Sequence, residues 1–597
     1  MTARFGWLAP YALYAAMSAY FCFPLFPNPH ALAVLDWDQY FFYHAAVMRS
    51  VYEYAQMPFW NPWYCGGNVL WQNPQVALLS PVYPLAAVVS LPLAVKITIA
   101  LHVFLSFIGM HLLLTRVFRL SFLPAVLFLS SLFTLAGAPA LHIKVGHPWF
   151  LSFYYLPLLA FFFLLAMQTG RLAHIFCAAA ISALAVYNGG LHAAAPAAVA
   201  VILFSIFAAV ARRDWRPLAV GIVFGLAAVA YSAPRLVPVA MFVTGDRFVD
   251  ARGVPERPDR TTLEAQARAF LDRNQGGGIE FPGRRHGWHE YGDYIGLFGA
   301  LLIVSSIVWI LSDRPWQRDR WLGVLLALTS LVLLLLALGD FSAHSPYTIL
   351  NMIPPFTRFR NPSRYVLVFN LFAAATAAWA AAAVAGEGGP VRLRRFLAIL
   401  FVLASFDLAH ENRRNFEEVF SQPPLQAGFS FLKPSGRLVQ DTVTSPYGPN
   451  SPMLRAMLDG RGVVDCYESL QLQRAVDPAQ DLVFSDGSAR IFKVSFTPNR
   501  IEFTALPGAA GARVFLNQNY TRGWTSDAGV VALDERTGRA YVSLRNDQAG
   551  QFSFTFVPPG IWTGLLLFAT GIGMSVVGWT WKTNTERTQN EHGTNTE

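Results

Sequence analysis

The sequence predicts an α-helical polytopic membrane protein with about 12 transmembrane helices and an extracytoplasmic β-rich domain near its C-terminus. Three observations predict it. Apolar runs of bilayer length recur through residues 1–411 and return at 560–581. Of 597 residues, 54% are hydrophobic and only 14% charged, against roughly 25% charged in soluble proteins; the mean hydropathy is +0.38. Between 412 and 559 the chain turns polar, and its apolar residues alternate in steps of two.

A bilayer core takes roughly 20 apolar residues per helix. Such runs fall at 7–26, 97–115, 121–138, 149–168, 172–189, 192–211, 217–240, 293–312, 321–339, 364–385, 394–410 and 560–581. The first, with the single cation Arg4 ahead of it, is too long for a signal-peptide core and reads as an uncleaved anchor. Segment 76–93 is also apolar, but Pro81, Pro84 and Pro92 interrupt backbone bonding that lipid cannot replace. Loop charge decides its status. If it does not cross, Arg116 and Arg119, Arg171, Arg212, Arg213 and Arg216 fall on the N-terminal side. Arg314, Arg318 and Arg320, then Arg392, Arg394 and Arg395, then Lys582 join them. The positive-inside rule makes that side cytoplasmic. Segment 76–93 is therefore re-entrant or interfacial, and both termini are cytoplasmic in a bacterial inner membrane. Loops 27–96, 139–148, 241–292, 340–363 and 411–559 are extracytoplasmic. The net charge of +9 resides largely in the short loops, which argues against nucleic acid as a partner.

This divides the chain into a transmembrane domain at 1–411, an outer domain at 412–559, a final helix at 560–582 and a polar tail at 583–597. Turn signals such as Pro423-Pro424 and Pro507-Gly508 separate alternating stretches such as Arg500-Ile501-Glu502-Phe503-Thr504. Several short strands of this kind predict a β-sandwich, jelly-roll-like domain. The tail is predicted to be disordered. Segment 261–272 predicts a short helix behind Thr262. Cys22 and Cys177 lie in apolar runs as packing residues, while Cys65 and Cys466 share the outer compartment, where a disulfide is one option. No CxxC or metal-ligand spacing is present, so no metal ligands are assigned.

The first outer loop reads Leu35-Asp36-Trp37-Asp38-Gln39-Tyr40-Phe41-Phe42, then Pro58-Phe59-Trp60-Asn61-Pro62-Trp63-Tyr64-Cys65-Gly66-Gly67-Asn68. A carboxylate at the membrane interface is costly unless solvated or paired, which marks it as functional. An aspartate here could take the proton of an attacking hydroxyl while a lipid-linked phosphate leaves. The bland alternative is a helix N-cap before an interfacial helix, for which Asp is equally suited.

Further motifs are Asn73-Pro74-Gln75 with Tyr83-Pro84, Gly146-His147, Asn188-Gly189-Gly190-Leu191-His192, and Glu290 to Gly296. Others are Phe359-Arg360-Asn361-Pro362-Ser363-Arg364-Tyr365, Asn519-Tyr520-Thr521-Arg522-Gly523-Trp524 and Phe556-Val557-Pro558-Pro559-Gly560. In order and spacing these resemble the YfhO-type family of bacterial membrane proteins and, more broadly, the GT-C glycosyltransferases, over nearly the whole chain. The resemblance implies a GT-C-like fold. It also implies transfer of a sugar from a polyprenyl-phosphate donor to a cell-envelope glycan, lipid or protein on the outer face. GT-C enzymes carry an essential acid in the first outer loop; Asp38 best matches it and Asp36 is second. Tyr40, Trp60 and Asn61 of the same loop are candidates for contacting substrate. No obligatory cofactor is implied; Asp36-Trp37-Asp38 has the form of a DxD motif and leaves room for a divalent cation.

Cations on the outer side complete the candidates. Arg358, Arg360 and Arg364 lie just before or at the outer end of the tenth span, and Arg235 sits between Pro234 and Pro238 in the seventh. Arginine matches phosphate oxygens bidentately, although snorkelling to headgroups is the alternative. Glu290 would contact a sugar hydroxyl or pair with Arg235 or Arg364, and His147 would orient donor or acceptor. A transporter would instead place charges near the midplane and show repeated halves, neither of which is visible. A non-catalytic glycan-binding scaffold remains the other alternative.

Overall fold

The computed structural model describes residues 8–250, 259–275, 286–312, 321–354, 356–384, 391–424, 438–441, 451–466, 468, 470–545 and 549–593. Helices rise where the apolar runs predict them. Among the described residues, seven are long and apolar enough to cross a membrane, the first Leu91–Val117 and the last Pro362–Ala382. Leu172–Tyr187, Trp321–Ala337 and Ile561–Val577 are shorter apolar helices. Ala9–Cys22 and the charge-bearing Val391–Arg413 occupy the remaining predicted spans.

Three boundaries differ from expectation. The second membrane helix begins at Leu91, because Pro92 sits in its first turn, where a missing N–H removes no hydrogen bond. Segment 76–90 holds only the short helix Val82–Ala86. The third span, Leu123–Val145, is built of two helices, Leu123–Thr134 and Gly137–Val145, and takes in most of the expected loop 139–148. The terminal helix continues to Gly593, past the apolar boundary at Lys582 where a disordered tail is expected. No Gly or Pro interrupts the polar stretch before Gly593. The glycine-rich 276–278 segment lies outside the described residues.

The loops predicted to share one side meet on one face. Leu32 pairs with Gln422 across an isolated antiparallel bridge, and Phe248–Asp250 pairs with Leu470–Leu472. Helix Leu263–Leu271 is capped by Thr262, whose side chain accepts from the Ala265 amide at 3.1 Å.

Two four-stranded antiparallel sheets form the outer domain. One orders Ala532–Asp534, Arg539–Ser543, Arg513–Asn519 and Val483–Ser485; the other orders Trp524–Ser526, Gly550–Phe556, Arg500–Pro507 and Ala489–Thr497. The alternation legible in the sequence is the packing pattern: Ile501, Phe503 and Ala505 are buried, and Ile501 pairs with Phe554 across the strands. Burial of each large side chain contributes about 1.5–3 kcal/mol.

This domain is fastened to the first loop. Asn519 Nδ2 donates to the carbonyls of Cys65 (2.7 Å) and Gly67 (2.8 Å). Trp60 Nε1 donates to Gln518 Oε1 at 2.9 Å. Cys65 and Cys466 form a disulfide with their Cα atoms 5.1 Å apart.

Candidate functional site

The site begins with a close approach between two loops. The helix Gly137–Val145 ends at Gly146, which adopts φ +94°, a conformation costly for any residue with a Cβ. A Cβ there would also lie 2.4 Å from Trp37 N. The bare glycine lets the first loop settle on the helix end. Asp36 N donates to Val145 O at 3.1 Å and Trp37 Nε1 to Ile143 O at 2.8 Å. Asp36 stands at the N-cap position of helix Trp37–Met48, yet its side chain makes no capping bond. Its Oδ2 instead accepts from His147 Nε2 at 3.1 Å.

A second element meets the same helix. Buried Asp293 accepts from Ala138 N at 3.1 Å and from Asn370 Nδ2 at 2.7 Å. Gly137 N donates to Tyr294 O at 3.3 Å. These bonds set the short Trp288–Tyr291 helix beside Gly137–Val145. Glu290 therefore faces His142, with Oε2 3.8 Å from Nε2. His142 Nδ1 and His147 Nδ1 are 3.1 Å apart, one donating and one accepting according to tautomer.

Arg364, in the turn Pro362–Arg364 that opens the tenth span, closes the cluster. Its Nε donates to Glu290 Oε2 at 3.0 Å and its Nη2 to Oε1, a bidentate pair. Nη1 lies 3.2 Å from His192 Nδ1, and the guanidinium sits 5.2 Å from the centre of the Phe150 ring. Buried Glu290 is thus compensated, whereas Arg364, Asp36 and His147 keep 13–15% of their side-chain surface exposed. The cluster is partly exposed at both ends, Asp36–His147 and Arg364, with His142 and Glu290 buried between them. The arrangement offers a carboxylate–imidazole pair for proton transfer, a cation for an oxyanion and a donor set for a metal ion.

His142, His147 and Glu290 each offer a ligand atom, all within 4.8 Å of one another. Two imidazoles and a carboxylate suit a borderline divalent cation such as Zn²⁺, and the carboxylate admits the harder Mn²⁺.

The structure separates the other predicted residues. Asp38, two positions from Asp36, lies on the domain interface. Its carboxylate accepts from Met453 N and Leu454 N, both at 3.1 Å, at the start of helix Pro452–Leu458. Burial pushes its pKa up to about 6, opposed by those two amides. Arg235 is buried and donates to the carbonyls of Trp71, Asn73 and Val76. Nearby, Pro238 cannot donate to Pro234 O, and Trp71 Nε1 takes that carbonyl at 2.7 Å. Arg358 donates to Val243 O at 3.1 Å, and Arg360 pairs with Asp250 at 2.7 Å, so these two and Arg364 have different partners. Tyr40 packs edge-on against His44 at 4.4 Å. Trp60 faces the outer domain, and the Asn61 side chain is buried with no hydrogen-bond partner among the described residues.

Sequence reasoning missed His142 as a cluster member and placed no weight on His289, whose ring centre is 6.0 Å from that of His147. The available signal was spacing: His142 and His147 flank one turn, and His289 adjoins Glu290.

No family model matches the chain, and no curated protein matches it. Solved structures do. Arabinofuranosyltransferase AftD from Mycobacteria matches at 14% identity and TM-score 0.45, over 91% of this chain and 40% of that one. The Archaeoglobus fulgidus oligosaccharyltransferase in its apo form matches at 12% identity and TM-score 0.46, over 78% of this chain and 65% of that one. The chain spans less than two thirds of either protein's length. Both TM-scores fall below 0.5.

Proposed function

We propose that this chain is a GT-C-type membrane glycosyltransferase, moving a sugar from a polyprenyl-phosphate donor to a cell-envelope acceptor on the extracytoplasmic face of a bacterial inner membrane. The observation that carries this reading is the convergence of Asp36, His147, His142, Glu290 and Arg364 at one partly open point beside the membrane helices. The sequence motifs resembling the YfhO-type family point the same way. The Cys65–Cys466 disulfide supports an oxidising compartment for this face.

The acceptor oxygen bonds to the anomeric carbon as the bond from that carbon to the phosphate oxygen breaks. The acceptor proton passes to Asp36, whose carboxylate is oriented by His147 Nε2–H. The departing electron pair resides on phosphate, where the Arg364 guanidinium is suited to oppose its charge. Asp38 holds the outer domain on the first loop and takes no proton. A divalent cation held by His142, His147 and Glu290 would supply Lewis-acid stabilisation of the leaving phosphate.

The test is transfer in membranes supplied with radiolabelled polyprenyl-phosphate sugars. Asp36→Asn is expected to lose roughly 10²–10⁴-fold in rate, the usual share of a general base, whereas Asp38→Asn stays within a few-fold of native. Unchanged transfer in Asp36→Asn would remove the proposed base. Absence of transfer with every donor would favour a glycan-binding scaffold or a transporter.

A further inference from the structure

Glu290 is claimed twice. Its two oxygens are both engaged by Arg364, and Oε2 also faces His142 Nε2 at 3.8 Å. With the histidines neutral, Asp36 and Glu290 bring two negative charges to the cluster and Arg364 one positive charge. A dication ligated by His142, His147 and Glu290 would stand beside a guanidinium bonded to the same carboxylate. Two such cations repel strongly at this range in a partly dehydrated site, and a carboxylate gripped at both oxygens has to turn to serve as a metal ligand. Arg364 has somewhere to go: it already lies over Phe150, touches His192 and keeps 15% of its side chain exposed.

We propose that Arg364 and a divalent cation exchange at Glu290, the guanidinium filling the cation's place when the site is empty and moving off when it fills. Arg364 thereby sets the cation affinity, and cation binding frees its N–H groups to face an oxyanion. The exchange rests on the cation-binding part of the functional reading and not on sugar transfer, so each can fail without the other.

Mn²⁺ alone is the probe, titrated into purified full-length protein in lipid nanodiscs and followed by electron paramagnetic resonance. Arg364→Gln is expected to bind Mn²⁺ at least tenfold tighter than native protein, and Glu290→Gln to lose binding. Equal or weaker binding by Arg364→Gln overturns the exchange. A second measurement needs no variant: modification of Arg364 by phenylglyoxal in native protein, quantified by mass spectrometry. Mn²⁺ is expected to raise Arg364 modification several-fold. Unchanged or reduced modification at a Mn²⁺ concentration that saturates binding, or no Mn²⁺ binding by either form, also overturns it.

Discussion

Asp36 Oδ2 and His147 Nε2 share a hydrogen bond of 3.1 Å across a separation of 111 residues. The contact exists because Asp36 is released from capping its own helix and because the turn at residue 146 has no side chain. It turns an interfacial aspartate into one end of a connected row of titratable groups reaching Glu290.

Gly146→Ala tests the approach itself. The left-handed backbone costs an L-residue about 1–2 kcal/mol, and the added methyl would meet the backbone at Asp36 and Trp37. Thermal unfolding should fall by a few degrees. Transfer should fall much further, on the order of 100-fold, because Asp36 moves by a fraction of an ångström or more.

Asp38 gives a pH signature. Its folded pKa of about 6 lies above the ordinary 3.8 of the unfolded chain. The folded state therefore holds the proton longer, and this group's contribution is fully present below pH 3.8 and lost as pH rises through 6. Native protein should lose up to about 3 kcal/mol across that window from this group, and Asp38→Asn should lack the segment. Asp38→Ala should be the less stable variant, because it orphans the Met453 and Leu454 amides. Thermal melts from pH 4 to pH 8 read both effects.

Arg235 separates a structural cation from a phosphate ligand. Arg235→Met leaves the carbonyls of Trp71, Asn73 and Val76 without this donor. At about 1–3 kcal/mol for each buried group left unpaired, expression and melting temperature should drop sharply while the donor KM of folded protein stays constant. A raised KM at native stability would return Arg235 to the substrate.

Cys466→Ser opens a cross-link between residues 401 positions apart. Loss of such a bridge costs about 2–5 kcal/mol. The variant should melt earlier, and the outer domain should become accessible to limited proteolysis before the membrane helices do. Retention of the native protease pattern would show that the Asn519 and Trp60 contacts hold the domain unaided.

The membrane spans, the strands of the outer domain and the Thr262 cap were legible because each is a local response. An apolar run must satisfy its own backbone in lipid, and a half-buried strand such as Arg500–Pro507 must alternate. The sequence also placed four of the cluster's residues among the candidates: Asp36 as the second choice for the catalytic acid, His147 as an orienting group, Glu290 as a sugar contact or ion-pair partner, and Arg364 as a phosphate ligand. Which partner each one found was a matter of tertiary packing. Asp36 and Asp38 have the same chemistry and nearly the same sequence position, yet one reaches His147 and the other Met453 and Leu454. Arg235 and Arg364 looked alike as outer cations, but one meets loop carbonyls and the other a carboxylate. Hydrogen bonds between groups a hundred or more residues apart depend on directions and distances of a few ångströms, and those are set only when the loops pack together.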